Sequence, residues 1–318
     1  MNRPIDFVLY WVDGDDPEHA RKRRHYQSSF SVTDKRNTEQ SVGSQRFVQH
    51  EELKFCLRSI KHFAPWYRYI YIITDGQIPA FLDADKISLD RIKIIDHRRL
   101  FHKVPEYLPT FNSRALTTQL ANLDEISGFF VLGNDDIMLS APVRPEFFFQ
   151  AEQPVLYADK AALSEVEGKT LYHQGIVNSA RLINPAADTV YLPSHGFMGL
   201  DKPRLKALEK NYSAAFETNL KYKFRHESQY LIECLYMHQC IADKQCVLFD
   251  SELMVHFSFE LCRIGKADKI HFLFDLLARG KRKMFCLNDF EALLNRLPEI
   301  NERLELICGP RLQCEYPH

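Results

Sequence analysis

Short apolar runs rich in Val, Ile and Phe alternate with amphipathic stretches of helical spacing through the first half of the chain, and three of those runs stop at aspartate. Ile5-Asp6-Phe7-Val8-Leu9-Tyr10-Trp11-Val12 leads into Asp13-Gly14-Asp15-Asp16-Pro17. Residues 69–74 lead into Asp75-Gly76, and Phe129-Phe130-Val131-Leu132-Gly133 leads into Asn134-Asp135-Asp136. A further run spans residues 92–96. Such runs read as buried strands. Between them, residues 51–63 place Leu53, Cys56, Leu57 and Ile60 on one helical face before Pro65. Asn112 or Ser113 caps a helix carrying Leu116, Leu120 and Leu123. Strands alternating with helices predict an α/β fold whose mainly parallel sheet is covered on both faces. In open sheets of this kind ligands sit at the carboxyl ends of the strands. Carboxylates from separate strands are therefore expected to converge on one crevice.

Asn134-Asp135-Asp136 carries two readings. A buried charge is costly unless it is paired or binds a metal, and Mg²⁺ commonly combines one or two carboxylates with substrate phosphates. The same residue types are also common turn formers. Asp13-Gly14 divides in the same way, between a nucleotide loop after the first strand and an ordinary turn. The recurrence of strand-end aspartates at Asp13, Asp75 and Asp135/Asp136 favours the shared crevice.

The 318 residues carry a formal net charge of −1, with 45% hydrophobic and 26% charged residues. This is the composition of a globular protein, it argues against a general nucleic-acid binder, and it requires any anion site to be local. No stretch has the roughly 18 consecutive apolar residues of a membrane span. The first apolar run is too short and too soon acidic for a secretory signal. A cytoplasmic protein is expected, its eight scattered cysteines, without a Cys-x-x-Cys pair, remaining free thiols. Residues 31–45 are rich in Ser, Thr, Asn and charge and read as a loop. One catalytic unit over residues 1–318 is expected, with an α/β half over 1–150 and a mixed half over 151–318 that includes a helical part.

In the second half, residues 154–158, 246–250 and 283–287 read as strands, and residues 202–209, 227–241 and 266–278 as helices. Residues 161–170 read as a loop or short helix. His195, between Ser194 and Gly196, is either an accessible imidazole able to switch charge near neutral pH or a loop histidine. Arg225-His226-Glu227 sits at a predicted helix start. It is either a phosphate-facing group, since arginine matches phosphate oxygens in a fork, or a surface ion-pair cluster. Asn288-Asp289 closes the last apolar run and could cap the helix after it. Asp201 reads as an N-cap, and Trp11 and Trp66 as core.

Taken together, these blocks resemble the Stealth family, which includes bacterial capsular and exopolysaccharide hexose-1-phosphate transferases and is related to the catalytic domain of GlcNAc-1-phosphotransferase. Its first block is matched by residues 5–17. Its second begins at Arg46-Phe47, includes Glu52-Leu53-Lys54-Phe55-Cys56-Leu57-Arg58-Ser59-Ile60, Ala64-Pro65-Trp66, Thr74-Asp75-Gly76-Gln77-Ile78-Pro79 and Phe111-Asn112-Ser113, and ends at Asn134-Asp135-Asp136. Its third runs from Ser194-His195-Gly196-Phe197-Met198 to Arg225-His226-Glu227, and its fourth is Cys286-Leu287-Asn288-Asp289. One departure is Gln49-His50, where the family often has Asp-Asn.

The resemblance implies a GT-A-like nucleotide-binding sheet and transfer of a sugar-1-phosphate from a UDP-sugar, UDP-N-acetylhexosamine or UDP-hexose, to a hydroxyl of a glycan acceptor. A phosphodiester forms and UMP leaves. Asp135, Asp136, His195, Arg225 and His226 would be catalytic. Trp11, Val12, Asp13, Gly14, Arg46, Asp75, Asn112 and Asn134 would bind the nucleotide sugar. Asp135, Asp136 and Asp289 would hold Mg²⁺ or Mn²⁺. A peripheral contact with a membrane polysaccharide assembly follows from the same resemblance. The competing readings are a conventional glycosyltransferase releasing UDP, a metal-dependent phosphodiesterase, and a carbohydrate-binding protein without activity.

Overall fold

The structure is a computed structural model that describes residues 3–28, 41–43 and 52–317. Most of the loop expected at 31–45, and Arg46, lie outside those residues. Strand β1 (Ile5–Tyr10) is buried along its whole length, as a strand covered on both faces must be. Helix α1 (Pro17–Gln27) starts where the Asp16 side chain accepts from the His19 backbone N–H. Helix α2 (Glu52–Phe63) turns its apolar stripe to the sheet. Strands β2 (Ile70–Thr74) and β3 (Ile92–Asp96) follow, then helix α3 (Ser113–Gln119) with Asn112 as its cap, and strand β4 (Phe129–Asn134).

Beyond the acidic turn come β5 (Ile137–Leu139), β6 (Phe149–Gln150) and β7 (Gln153–Ala162). Helix α4 (Leu171–Ile183), β8 (Thr189–Pro193) and β9 (Met198–Asp201) follow. Helices α5 (Lys202–Asn211), α6 (Ser213–Lys221) and α7 (Ile232–Ala242) come next. The chain closes with β10 (Val247–Phe249), β11 (Met254–Phe257), α8 (Phe259–Ile264), α9 (Ala267–Ala278), β12 (Met284–Leu287), α10 (Phe290–Arg296) and α11 (Ile300–Cys308).

The main sheet has the order β3-β2-β1-β4-β9. Its first four strands are parallel, and β9 joins antiparallel. The strand order reverses between β1 and β4, so their carboxyl ends form the topological switch point where such sheets bind ligands. Tyr10 stands there between Ile73 and Asn134. Alternate residues of the sheet feed two cores. Val8, Tyr71, Ile73 and Phe130 pack with Leu116, Leu120, Leu235 and Tyr236. Phe7, Leu9, Ile72 and Val131 pack with Leu53, Leu57 and Ile60. Burying side chains of this size contributes about 1.5–3 kcal/mol each.

The expected α/β class, the strands of the first half and the C-terminal helical part are all present. The division at residue 150 is not a structural boundary: β9 completes the main sheet, and β5 pairs with β12 in a separate sheet of order β11-β12-β5. Helices α8 to α11 enclose that small sheet through Phe257, Phe274, Phe285 and Leu304. Helix α7 begins at Ile232, leaving Arg225-His226-Glu227 in the preceding loop. Helix α4, buried through Ile176, Val177 and Ala180, was not anticipated.

Candidate active site

The loop after β1 is fixed at the switch point by the backbone. The Trp11 N–H donates to the Ile73 carbonyl at 3.0 Å, and Trp11 packs into the core, 8% exposed. Gln77 holds Asp13 at two points: its Oε1 accepts the Asp13 N–H at 2.9 Å, and its Nε2 donates to the Asp13 carbonyl at 2.8 Å. Main-chain anchoring leaves the loop 11–14 with a set shape whatever its side chains do.

Asp75 is held by α1. Its carboxylate lies 2.9 Å from His19 Nδ1 and 3.3 Å from Lys22 Nζ. Burial pushes this carboxyl up, but the His19 hydrogen bond and the nearby His97 and Lys22 outweigh it and bring it down to about 2. Burial pushes His97 down to about 4, against Asp75 and Asp96. Asp75 thus ties α1 to the end of β2, while the contacts of Asp136 run to β12; the strand-end carboxylates share an edge of the sheet but have different partners.

The Asn134-Asp135-Asp136 turn connects two sheets. The Asp136 carbonyl accepts from the Leu287 N–H at 3.0 Å. Its Oδ2 accepts from the Cys286 thiol at 3.4 Å and from Asn288 Nδ2 at 3.5 Å. Its Oδ1 is buried and has no partner among the described residues. Burial pushes the Asp136 carboxyl up to about 6, against the Cys286 hydrogen bond and the Arg225 charge. A carboxylate oxygen stranded in this way suits a cation or a hydrogen-bond donor supplied by a ligand. Asp135 lies half-buried beside it.

The second wall comes from β9, β11 and β12. Asn288 Oδ1 bonds His256 Nε2. The His256 ring stacks on His195, centroids 3.9 Å apart and 9° from parallel, and His195 also meets the Tyr172 ring at 5.1 Å. Burial pushes His195 down to about 3, with His256 and His173 adding to the effect, so the imidazole is neutral at ordinary pH.

The third wall is cationic. Arg225 Nη2 donates to Ser113 Oγ at 3.2 Å, while its Nε is buried without a partner among the described residues. Burial brings Arg225 down to about 10, opposed by Glu233 and Asp136. Behind it Arg114, only 2% exposed, donates to the carbonyls of His226 at 3.0 Å and Leu171 at 2.5 Å. Glu233, half-buried on the first turn of α7 with its Oε2 shut away from solvent, supplies the opposing charge, and desolvation raises its own carboxyl.

Several predicted site residues stand elsewhere. Asp289 caps α10 through Ala292 N at 3.2 Å and pairs with Arg263 Nε at 2.5 Å. It is therefore a helix cap, and its neighbour Asn288 is the residue that reaches Asp136. The Asn112 amide donates to the Tyr222 and Phe224 carbonyls and to Gln229 Oε1, and its Oδ1 accepts from Arg114 N. Its polar atoms are thus taken up inside the protein rather than offered to a nucleotide. The His226 ring stacks on Tyr222 at 4.1 Å and bonds Ser228, separate from the His195 pair. Among the described residues no group of three or more His, Cys, Asp and Glu is arranged to hold a metal. The acidic pair with phosphate oxygens of a ligand remains a fitting set for Mg²⁺.

Sequence reasoning did not single out His256, Tyr172, Arg114 or Glu233. Two had a visible signal: Glu233 is the lone carboxylate within Leu231-Ile232-Glu233-Cys234-Leu235, and His256 interrupts the run Met254–Phe257.

Family models for Stealth protein conserved region 1 and conserved region 2 match residues 3–31 and 46–156. The chain belongs to the Stealth family. Among its relatives in that family, an exopolysaccharide phosphotransferase of Streptomyces coelicolor is 30% identical over 304 residues, 90% of this chain and 47% of the relative. The capsular polysaccharide phosphotransferase LcbA of Neisseria meningitidis is 31% identical, over 70% of this chain and 60% of its own length. LcbA of Aeromonas hydrophila is 31% identical, over 69% and 59%. This Stealth chain spans about half the length of two of the Streptomyces coelicolor relatives it matches, 47% and 46%, and a quarter of another, 25%. Among solved structures, the galactosyltransferase LgtC, crystallised with donor and acceptor sugar analogs, aligns over 94% of this chain and 95% of its own at TM-score 0.46 and 9% identity. A likeness at that level carries no argument about chemistry. No helix of the described residues is long and apolar enough to cross a membrane.

Proposed function

We propose that the protein transfers a sugar-1-phosphate from a UDP-sugar, UDP-N-acetylhexosamine or UDP-hexose, to a hydroxyl of a glycan acceptor during synthesis of a cell-surface polysaccharide. The observation that carries this reading is the presence, beside a parallel-sheet switch point, of a carboxylate and a guanidinium whose charges act on each other and which each keep a buried polar atom without a partner among the described residues: Asp136 Oδ1 and Arg225 Nε. The phosphotransferase names of the relatives support the reaction class.

In this reading the acceptor oxygen attacks the β-phosphorus. The bond from that phosphorus to the oxygen bridging to the α-phosphorus breaks, and UMP leaves with the electron pair. The acceptor proton passes to His195, which is neutral and so has a free lone pair; the burial that keeps it neutral also weakens it as a base, and the negative charge of a bound donor phosphate would offset that. Arg225 offers a fixed cation to the phosphate charge that develops, and its partly desolvated position strengthens the interaction. Asp135 and Asp136 would hold Mg²⁺ or Mn²⁺, which when bound neutralises phosphate charge. The loop 11–14 would receive the nucleotide. Any membrane contact would be peripheral, with the polysaccharide assembly that presents the acceptor.

The test is a donor screen with glycan acceptors, analysed for released nucleotide and by phosphorus NMR of the product. UMP with a phosphodiester signal supports the proposal. UDP release would replace it with conventional glycosyl transfer, and equal turnover without acceptor would replace it with phosphodiester hydrolysis.

A further inference from the structure

Asp136, Asn288, His256 and His195 form one connected series, drawn from β4–β5, the end of β12, β11 and the approach to β9. The ends of this series are the two groups to which the proposed reaction gives its carboxylate and its base. The link between them has a defined direction. The Asp136 carboxylate accepts, so Asn288 turns its NH₂ toward it and its Oδ1 toward His256. An amide oxygen only accepts, so His256 Nε2 must carry the proton, and its Nδ1 is left with the lone pair. A histidine whose tautomer is set by a second residue is a recurrent device for orienting an imidazole.

The near-parallel stack at 3.9 Å does the same for His195. Both ring nitrogens of an imidazole lie in the ring plane, so fixing the plane limits where the base can aim. Tyr172 closes the other side of His195. The titratable groups acting on His195 are His256 from β11 and His173 from α4, with no carboxylate among them. Of the two ring contacts of His195 among the described residues, the closer and near-parallel one, with His256, is the one that sets its plane.

We propose that His256 is a positioning residue for the transfer: bonded to Asn288 and stacked on His195, it fixes the plane of the base relative to Asp136. The inference rests on the reading of His195 as the base, and its consequence is specific. Substrate binding does not require His256, whereas productive aim of His195 does. Misplacing a reacting group by about 1 Å can lower turnover roughly a hundredfold.

The full chain is tested as wild type, His256→Ala and His256→Phe, the last keeping a flat ring but no bond to Asn288. The measurements are kcat and donor KM for nucleotide release, and histidine side-chain NMR without substrate. In His256→Ala, kcat is expected to fall about ten- to hundredfold with donor KM within about twofold. His256→Phe is expected to recover at least half of that loss on a logarithmic scale. The NMR spectrum of the wild type should show His256 as the Nε2–H tautomer, and the His195 signals should shift in His256→Ala. Unchanged His195 signals in His256→Ala, or a wild-type His256 carrying its proton on Nδ1, would overturn the inference. Loss expressed only in donor KM would overturn it as well. If the wild type releases no nucleotide with any acceptor, the proposed function has failed, and the tautomer of His256, with the return of the His195 signals toward wild type in His256→Phe, still tests whether His256 positions His195.

Discussion

Asp136 and Asn288 face each other at 3.5 Å across the junction of two sheets, although they lie 152 residues apart in the chain. The junction places a carboxylate where burial raises its pKa to about 6. Keeping that group ionised at neutral pH works against stability. Asp136→Asn is therefore expected to leave the melting temperature equal or higher while lowering nucleotide release roughly 10²–10³-fold, as removal of one preorganised electrostatic group does. Thermal unfolding and kcat measured on the same preparation check both halves.

Acid should remove the contributions of His97 and Asp75 in two stretches, with Asp136, raised to about 6, working the other way as it takes up its proton in the folded chain first. His97 titrates at about 4 in the folded protein because burial disfavours its charged form, against 6.5 ordinarily. From about pH 6.5 down to about 4, the unfolded chain takes up this proton and the folded one does not, so stability falls as pH falls. His195, at about 3, adds to the same stretch. Asp75 is held at about 2, against 3.8 ordinarily, so its contribution is present above about pH 4 and is lost as pH falls toward 2. Urea unfolding at a series of pH values should show His97→Gln flattening the upper stretch and Asp75→Asn the lower.

Arg58 is 1% exposed and forks onto Glu315, with Nε at 2.7 Å and Nη2 at 2.5 Å, while Nη1 reaches Glu305 at 2.5 Å. Arg58→Ala would leave the buried Glu315 carboxylate with only the Leu312 N–H at 3.0 Å and a longer contact to Arg311 at 3.6 Å, a loss approaching about 3–5 kcal/mol. Changing both residues, Arg58→Met with Glu315→Leu, should recover most of it. Equilibrium unfolding of the single and double variants measures the difference.

A Cβ built on Gly133 would collide with the Phe197 ring. Gly133→Ala should therefore destabilise by about 1–3 kcal/mol through overpacking, and Phe197→Leu in the same chain should relieve part of that loss. Denaturation midpoints of the two single variants and the double variant give the coupling directly.

Much of the sheet was legible because its strands are buried on both faces and so read as unbroken apolar runs, as in Phe7-Val8-Leu9. The helix over 52–63 was legible from its stripe. Helix α4 was not, because Leu171-Tyr172-His173-Gln174-Gly175 mixes polar residues and a glycine into its first turns. The Asn134-Asp135-Asp136 turn could be singled out by its abrupt polarity at a strand end. The role of Asn288 over Asp289 could not, since two adjacent polar residues differ only in which one faces the β5–β12 seam, and that is fixed by tertiary pairing. His256 and Glu233 escaped for the same reason. Each is an isolated polar residue in an apolar segment, and its meaning comes from partners on other elements.

The pairing of β5 with β12 has a consequence for how the protein is made. Asp136 leaves the ribosome well before the strand that supplies Cys286, Leu287 and Asn288 to it. At synthesis rates of about 5–20 residues per second, the main sheet has time to collapse while the acidic turn still lacks these neighbours. Closure over so long a separation is among the slower events of folding. Under the proposed function, a chain halted before β12 would carry the loop 11–14 and the acidic turn without the Cys286, Leu287 and Asn288 contacts that set Asp136 in place.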